Sequence, residues 1–173
     1  SNEGDDETLR AAVECCLALC QATSDDPRTR ARASQNMSRL LEEKDALLTL
    51  LTLLSLSHGF YTRFGALQLL VLLVEHRRLE VQDYVLTAPG GSSSVLQCLE
   101  AAPSSSTEII RNEALLLLPQ LVRDNADIQK IVAFEGAFER LLDIIVQEGR
   151  IEGGVVVQDA LDGLEALLLQ NVS

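Results

Sequence analysis

The chain has 173 residues, 47% of them hydrophobic and 23% charged, enough to bury the core of one ordinary domain or of a stretch of a repeat array. Its formal net charge of −12 argues against binding to nucleic acid or to anionic lipid, both of which need clustered Lys and Arg. Leucine supplies most of the apolar residues and only 3% are aromatic, which favours helices packed on helices over a β-sheet.

The cysteines of the first predicted helix indicate a reducing compartment. Cys15, Cys16 and Cys20 lie within six residues, where two neighbouring thiols do not reach good disulfide geometry. Neither histidine lies at metal-ligand spacing from them, so we expect these thiols and Cys98 to be reduced, small core residues, with a metal or redox site as the alternative. This usage is typical of a cytoplasmic protein.

No segment has the pattern of a signal peptide or a membrane span. The start, residues 1–7, is polar and acidic instead of basic and then apolar. Residues 46–62 carry no charge, but Ser55, Ser57 and His58 interrupt the stretch and leave its apolar part too short to cross a bilayer. We therefore expect a buried helix pair in this region.

One helical pattern recurs four times along the chain. Each copy has an alanine, then a branched apolar residue, and further apolar residues three, six and seven positions beyond that one; the copies start at Ala12, Ala66, Ala114 and Ala160. These spacings place the apolar side chains on one stripe of a helix. The small alanine allows a neighbouring helix to approach closely. Since an isolated helix could not bury this stripe, each copy needs a neighbouring repeat to cover it.

The segments between the alanine copies also repeat. Residues 81–90 match residues 128–136, and each predicts a short helix that ends at a glycine. A second helix follows, around residues 95–101 and 137–147, before the third helix that carries the alanine. Three helices per repeat are typical of armadillo repeats, so we predict an all-α, armadillo-like solenoid, a right-handed superhelix cut from a longer array. The prediction is a single segment over residues 1–173, with repeat helices around 9–22, 27–76, 79–123 and 125–170.

Three runs of residues are more specific than a generic repeat. They extend from Glu108 to Leu118, from Ile128 to Ile145 and from Gly153 to Asp159. In these runs the chain resembles the globular head of the general vesicular transport factor family, which comprises the Uso-type Golgi tethers and their plant golgin relatives. The resemblance is strong over roughly residues 60–171 and weak before residue 45. It implies an armadillo-like head on a long dimeric coiled coil with an acidic tail.

The resemblance also implies a function. The family tethers transport vesicles at the Golgi, so we expect a protein–protein interaction module in ER-to-Golgi and intra-Golgi traffic, cytoplasmic and peripheral to Golgi membranes. The implied partners are a Rab-type GTPase, tethering complexes, golgins or membrane-fusion factors, and the implied full-length state is a homodimer. The alternative is a generic armadillo-repeat scaffold or transport adaptor without a Golgi role, because repeat solenoids serve many pathways.

The chain departs from catenin- and importin-type armadillo repeats at one position of the third helix. Those repeats carry an asparagine just before the last apolar pair, where it clamps an extended peptide. Here the four positions hold Ala18, Leu72, Gln120 and Ala166. We therefore expect recognition of folded partners in place of an importin-like peptide groove.

No motif in the sequence predicts catalysis. There is no nucleophile elbow or metal signature, and the glycine-serine run at residues 90–94 lacks the Lys-Ser/Thr ending of a phosphate loop. We expect no enzyme activity, no cofactor and no metal. The candidates for partner binding are Arg63 and Arg111, which each precede the repeated alanine by three positions. A solvated helix position or a local salt bridge is the alternative for both.

Overall fold

The computed structural model describes residues 2–43, 45–100, 105–149 and 152–169. Within these ranges the chain forms nine helices and no strand, which confirms the all-α class. In chain order the helices are α1 (Asn2–Cys20), α2 (Pro27–Glu42), α3 (Ala46–Leu53), α4 (Phe60–Thr87), α5 (Gly91–Gln97), α6 (Ser105–Val122), α7 (Ala126–Phe134), α8 (Ala137–Gln147) and α9 (Gly154–Leu168).

Local sequence signals explain several helix ends. The Asn125 side chain accepts a 3.1 Å hydrogen bond from the backbone N–H of Ile128 and so caps the start of α7. Gly90 and Gly136 adopt left-handed conformations, with φ of 68° and 88°, in the turns before α5 and α8. Glycine takes this conformation without the steric penalty that a side chain would bring. The turn between the first and second helix is therefore encoded in the same way in two repeats.

The boundary between two repeats inside α4 is a kink and not a loop. Arg77 has φ −141° and ψ 62°, outside the helical region. The kink separates residues 60–76, the third helix of one repeat, from residues 78–87, the first helix of the next. Arg77 lies between two of the predicted groups of repeat helices, 27–76 and 79–123, and the bounds of these groups stay a prediction.

The four alanine-bearing helices form one layer, as predicted. The pairings of α4 with α1, of α4 with α6 and of α6 with α9 are the three most extensive among the described residues. Ala66, Ala114 and Ala160 are each 0% exposed, as expected for small residues at close helix contacts. Ala12 is exposed, so the close approach predicted at the first copy is not observed.

The apolar stripe of the two internal copies forms the centre of the core. Its residues on α4 and α6 are each at most 2% exposed: Leu67, Leu70, Leu73, Val74, Leu115, Leu118, Leu121 and Val122. The outer copies are only partly covered, since Leu19 in α1 and Leu161 and Leu168 in α9 are 60%, 46% and 67% exposed. Full burial of the stripe therefore depends on a neighbouring helix on each side, as in a solenoid.

The uncharged stretch at residues 46–62 forms α3 and the beginning of α4. Leu47, Leu50 and Leu51 of α3 are buried, and α3 packs against α4, so the expected buried helix pair is confirmed. Over the described ranges, none of the helices combines the length and the apolar composition that crossing a bilayer requires.

Candidate interaction surface

Arg63, the first candidate from the sequence, lies in the interior of the solenoid. It is 7% exposed, and its Nε donates a 3.0 Å hydrogen bond to the carbonyl oxygen of Leu54, at the end of α3. Burial raises the pKa of the Cys98 thiol, and the positive charge of Arg63 opposes that shift. A cation beside the unpaired carbonyl groups at the end of a helix is electrostatically favourable. Arg63 therefore stabilises the packing of α4 on α3.

Arg111, at the equivalent position of the next repeat, is buried as well, at 3% exposed. Its guanidinium pairs with the Glu148 carboxylate at 2.5 Å and with the Asn112 side-chain oxygen at 3.0 Å. Glu148 directly follows α8, so the ion pair joins α6 to α8. Neither arginine is therefore at the solvated helix position given as one alternative, because both make their contacts inside the solenoid, Arg111 through a salt bridge. A role in partner binding stays a prediction for both.

Two further polar residues, Gln82 and Gln129, link the first helix of a repeat to its third helix. Gln82 is 1% exposed and its Nε2 donates a 2.8 Å hydrogen bond to the carbonyl oxygen of Leu121. Gln129 is 9% exposed and its Nε2 donates a 2.8 Å hydrogen bond to the carbonyl oxygen of Ala166. Neither glutamine was predicted to have a role, although an apolar residue followed by glutamine recurs at both places. That recurrence was the signal that could have identified them.

The third helices also carry a solvent-facing stripe, on the side opposite to the core. Its first position lies five residues before the repeated alanine. It holds Tyr61, Ile109 and Val155 in α4, α6 and α9, which are 58%, 46% and 76% exposed, and the exposed Glu7 in α1. Tyr61 and Ile109 belong to α4 and α6, which have a third-helix neighbour on both sides. Their exposure therefore does not arise at an end of the layer. The apolar row is a property of the lateral surface.

We call this stripe the open face. Besides the apolar row, it contains half-buried or exposed residues of α4 and α6. The apolar ones are Phe64, Val71 and Leu72, which also contact the core, together with Leu116 and Pro119. The polar ones are Gln68, Glu75, Asn112, Gln120 and Arg123. On α9 it contains Asp159, Asp162, Glu165 and Ala166. Spacings of three and four residues keep these side chains on one side of each helix. The open face thus combines apolar and polar side chains over α4 and α6, and apart from Val155 and Ala166 it is acidic over α9.

A groove of about 590 Å3 lies between α6 and α9 on the open face. Leu116 lines the α6 side, and Asp159, Asp162 and Glu165 line the α9 side. None of these three carboxylates forms an ion pair with another of the described residues. Burial, and to a smaller extent the charge of Asp162, raises the pKa of Asp159. Gln158 donates a 2.7 Å hydrogen bond to Asp162, and Arg123 also lines the groove, so the three carboxylates leave the groove with an excess of negative charge.

The four thiols are free, and they differ in exposure. Cys20 and Cys98 are buried, as expected of small core residues, whereas Cys15 is exposed and so does not belong to the core. Burial raises the pKa of the Cys20 and Cys98 thiols, which favours their protonated, less nucleophilic form. In the part of the chain that the structure describes, no three His, Cys, Asp or Glu residues are grouped as a metal site requires.

Sequence comparison relates the chain to proteins of vesicular transport. It is 42% identical over 140 residues, 81% of its length, to the general vesicular transport factor p115 of Homo sapiens. It is 39% identical over 158 residues, 90% of its length, to Golgin candidate 6 of Arabidopsis thaliana. The intracellular protein transport protein uso1 of Schizosaccharomyces pombe is 34% identical over 170 residues, 98% of the chain. The chain spans 14%, 17% and 15% of the length of these three relatives, and no protein-family model matches it.

Structure comparison identifies the same group of proteins. The crystal structure described as Uso1-1 matches 94% of this chain with a TM-score of 0.73 and 28% sequence identity. The one described as Uso1-2 matches 91% with a TM-score of 0.71 and 26% identity. The matched regions are 24% and 23% of those chains. The armadillo-like fold predicted from the three-helix repeat is thereby confirmed.

Proposed function

This chain belongs to the family of the general vesicular transport factor p115 and the Uso1 proteins, and we propose that it is a protein–protein interaction segment of a vesicle-tethering factor. The proposed setting is ER-to-Golgi and intra-Golgi traffic. One observation carries the proposal: the similarity extends over 81% to 98% of the chain, to relatives named for vesicular or intracellular transport. Two unrelated repeat solenoids would not be expected to share 34% to 42% of their residues over so much of the chain.

The lateral surface supports a binding role. The helices of a solenoid stack in one direction and leave a long side surface free for partners. Here that surface includes the open face, where apolar residues are exposed in the interior of the array, as Tyr61 and Ile109 show. Exposed apolar residues beside unpaired charges are characteristic of protein interaction sites. We therefore infer that the segment acts by binding and not by catalysing a reaction.

The proposed partners are those of the family: a Rab-type GTPase, tethering complexes, golgins or membrane-fusion factors. Their presence on the Golgi would place the protein at that membrane as a peripheral component of the cytoplasmic side. A homodimer of the full-length protein follows from the coiled coil that the family resemblance implies. The net charge of −12 supports protein partners over nucleic acid, because a surface of this sign repels phosphates.

The proposal is tested by segment replacement. The matched segment of Schizosaccharomyces pombe uso1, which is 34% identical, is replaced by this chain, and delivery of a secreted cargo from the ER to the Golgi is measured. We expect transport close to that of the parent and Golgi localisation of a fluorescent fusion. A matched chimera with Leu118→Ala, in the core of α6, controls for the folded state of the segment. A folded, expressed chimera that supports no transport would contradict the proposal.

A second experiment, the localisation of a fluorescent fusion of the full-length protein, tests the alternative of a scaffold or adaptor without a Golgi role. That alternative predicts that the fusion of the full-length protein locates to the nucleus or to cell junctions, with none at the Golgi. The family proposal predicts colocalisation with Golgi markers.

A further inference from the structure

The open face has two parts of different chemistry. Over α4 and α6 it exposes apolar side chains among polar ones: Ile109 and Leu116 are each 46% exposed, and Gln68 and Asn112 are half-buried beside them. Tyr61 is 58% exposed, and the guanidinium of Arg10 lies over its ring at 4.1 Å. Over α9 it presents the carboxylates of Asp159, Asp162 and Glu165, which line the groove next to Leu116. Arg123, at the end of α6, lines the same groove. The three carboxylates outnumber it, so the groove remains negative. A complementary partner surface is apolar with positive charge at one end.

Catenin- and importin-type armadillo repeats carry a peptide-binding asparagine in the third helix. Three of the corresponding residues here, Leu72, Gln120 and Ala166, lie on the open face. Leu72 and Ala166 have no amide, and the Gln120 amide donates a 3.4 Å hydrogen bond to the carbonyl oxygen of Leu116 in its own helix. The backbone of an extended peptide would therefore find no row of side-chain amides to pair with. A helix does not need them, because its own backbone hydrogen bonds are internal. The open face thus suits a helical segment better than an extended one.

We propose that the open face binds an amphipathic helix of a partner protein, with its apolar stripe on α4 and α6 and its Lys or Arg residues against the carboxylates of α9. This inference deepens the proposed function and rests on it, since it gives the chemistry of one partner. Adjacent packed helices lie about 10 Å apart, so the open face from α4 across α6 to α9 spans roughly 20 Å. At 1.5 Å per residue, a helix of about 14 residues covers that distance.

A second copy of the chain is a competing occupant, because its α2 carries exposed arginines. Arg28, Arg32 and Arg39 are exposed and lie on one side of α2, at spacings of four and seven residues. This side of α2 has no apolar stripe that could pack on α4 and α6. The apolar residues of α2, such as Met37 and Leu40, pack against the core of their own chain. The partner helix described above fits both parts of the open face, whereas α2 fits only one.

The test uses a labelled helical peptide of about 16 residues with a leucine stripe and lysines at one end, and a matched peptide with glutamate in place of lysine. Binding to the 173-residue chain is followed by fluorescence anisotropy at low and moderate salt. We expect the lysine peptide to bind more tightly, with an affinity that falls as salt screens the charges. Asp162→Asn combined with Glu165→Gln should weaken binding about tenfold, and Leu116→Gln should weaken it about tenfold as well.

Matched control variants lie on the second helices, away from the open face. Asp143→Asn combined with Glu139→Gln, on α8, removes the same number of exposed carboxylates, and Leu48→Gln, on α3, removes a side chain that is 40% exposed. Both controls should leave peptide binding unchanged. Equal loss in control and open-face variants, or no loss in the open-face variants, would overturn the inference. A melting temperature equal to that of the parent shows that each variant is folded.

Two further outcomes separate this inference from its competitors. Sedimentation that shows a dimer of the chain, dissociated by Leu116→Gln, would make a second copy the occupant and overturn the inference. Segment replacement distinguishes its failure from that of the proposed function. Loss of transport with the expected peptide results contradicts the function alone. If transport is intact but the open-face variants bind the peptide as tightly as the parent does, the inference alone is contradicted.

Discussion

The side-chain amide of Gln82, in the first helix of a repeat, lies 2.8 Å from the carbonyl oxygen of Leu121, near the end of the third helix. Gln82 also donates to the carbonyl oxygen of Arg123 at 2.8 Å. The last carbonyl groups of a helix have no partner within the helix, so this one side chain satisfies two of them. Gln129 has the same relationship to Ala166 in the next repeat.

We expect Gln82→Met to lower the free energy of unfolding by about 1–3 kcal/mol. The thioether keeps most of the volume but donates no hydrogen bond, so buried carbonyl groups lose their partner. Urea denaturation followed by circular dichroism measures the change. Gln147→Met, at an exposed position of α8, is the matched control and should stay within about 0.5 kcal/mol of the parent. Equal effects of the two changes would disprove the role of Gln82.

Leu118→Ala should destabilise the chain by about 2–5 kcal/mol, because it removes buried apolar volume and leaves a cavity in a layer that is covered on both sides. Leu118 is 0% exposed, whereas Leu116, two residues away in the same helix, is 46% exposed. Leu116→Ala should therefore cost about 1 kcal/mol or less. Chemical denaturation of both variants gives the comparison, and similar costs would show that the core stripe is wrongly assigned.

Arg111→Met should destabilise the chain by about 3 kcal/mol, the usual effect of breaking a buried ion pair by removal of one partner. A double-mutant cycle with Glu148→Gln measures the coupling between the two side chains. The control is Lys130→Met, because Lys130 pairs with Asp127 at 3.8 Å but both side chains are exposed, at 77% and 78%. Its effect should be about 0.5 kcal/mol or less. A coupling energy near zero for Arg111 and Glu148 would contradict the structural role.

Glu113→Gln should stabilise the chain at pH 7 and have a smaller effect at pH 4. Burial raises the pKa of the Glu113 carboxyl in the folded state. The folded state then binds the proton more tightly than the unfolded state, so stability is highest below the unfolded pKa and is lost as the pH rises through the folded pKa. Glutamine removes the charge that causes this loss.

Thermal unfolding of the parent and of Glu113→Gln at the two pH values measures this effect. Glu165→Gln, which changes an exposed carboxyl of α9, is the control. A Glu113→Gln variant that gains as much stability at pH 4 as at pH 7 would show that the gain does not come from the buried charge.

Leu161→Gln combined with Leu168→Gln should reduce self-association of the chain without lowering its melting temperature. These leucines are 46% and 67% exposed, whereas their counterparts one repeat earlier, Leu115 and Val122, are 1% and 0% exposed. An apolar face of this kind associates with other apolar surfaces. Sedimentation velocity over a range of concentrations measures the change. Unaltered association would mean that another surface is responsible.

The sequence was sufficient for features that depend on local periodicity. The spacing of the apolar residues around Ala66 and Ala114 predicted which side of each helix is buried, and the structure agrees at every position of both copies. The turns were predictable from Gly90 and Gly136, because the ease with which glycine adopts a left-handed conformation is a property of the residue itself. The repeat length then determined that these helices lie side by side.

The sequence was not sufficient for the polar residues of the third helices. Arg63 and Arg111 were selected for their equivalent places three positions before the repeated alanine, and that spacing does not indicate which groups a side chain contacts. Arg111 is buried only because α8 brings Glu148, 37 positions later in the chain, against it. The open face was likewise not identified, since a helix with apolar residues on two sides gives a weak periodic signal.

The sequence by itself therefore determined the helices, their order and the stripe that each third helix buries, because these depend on residues within a few positions of one another. Only the tertiary structure decided that Gln82, Gln129, Arg63 and Arg111 make their contacts inside the solenoid and that Tyr61, Ile109 and Val155 line up on its outside. The physical reason is that burial of a polar group depends on its hydrogen-bond partner, and the partner here lies on another helix that stacking brings into reach.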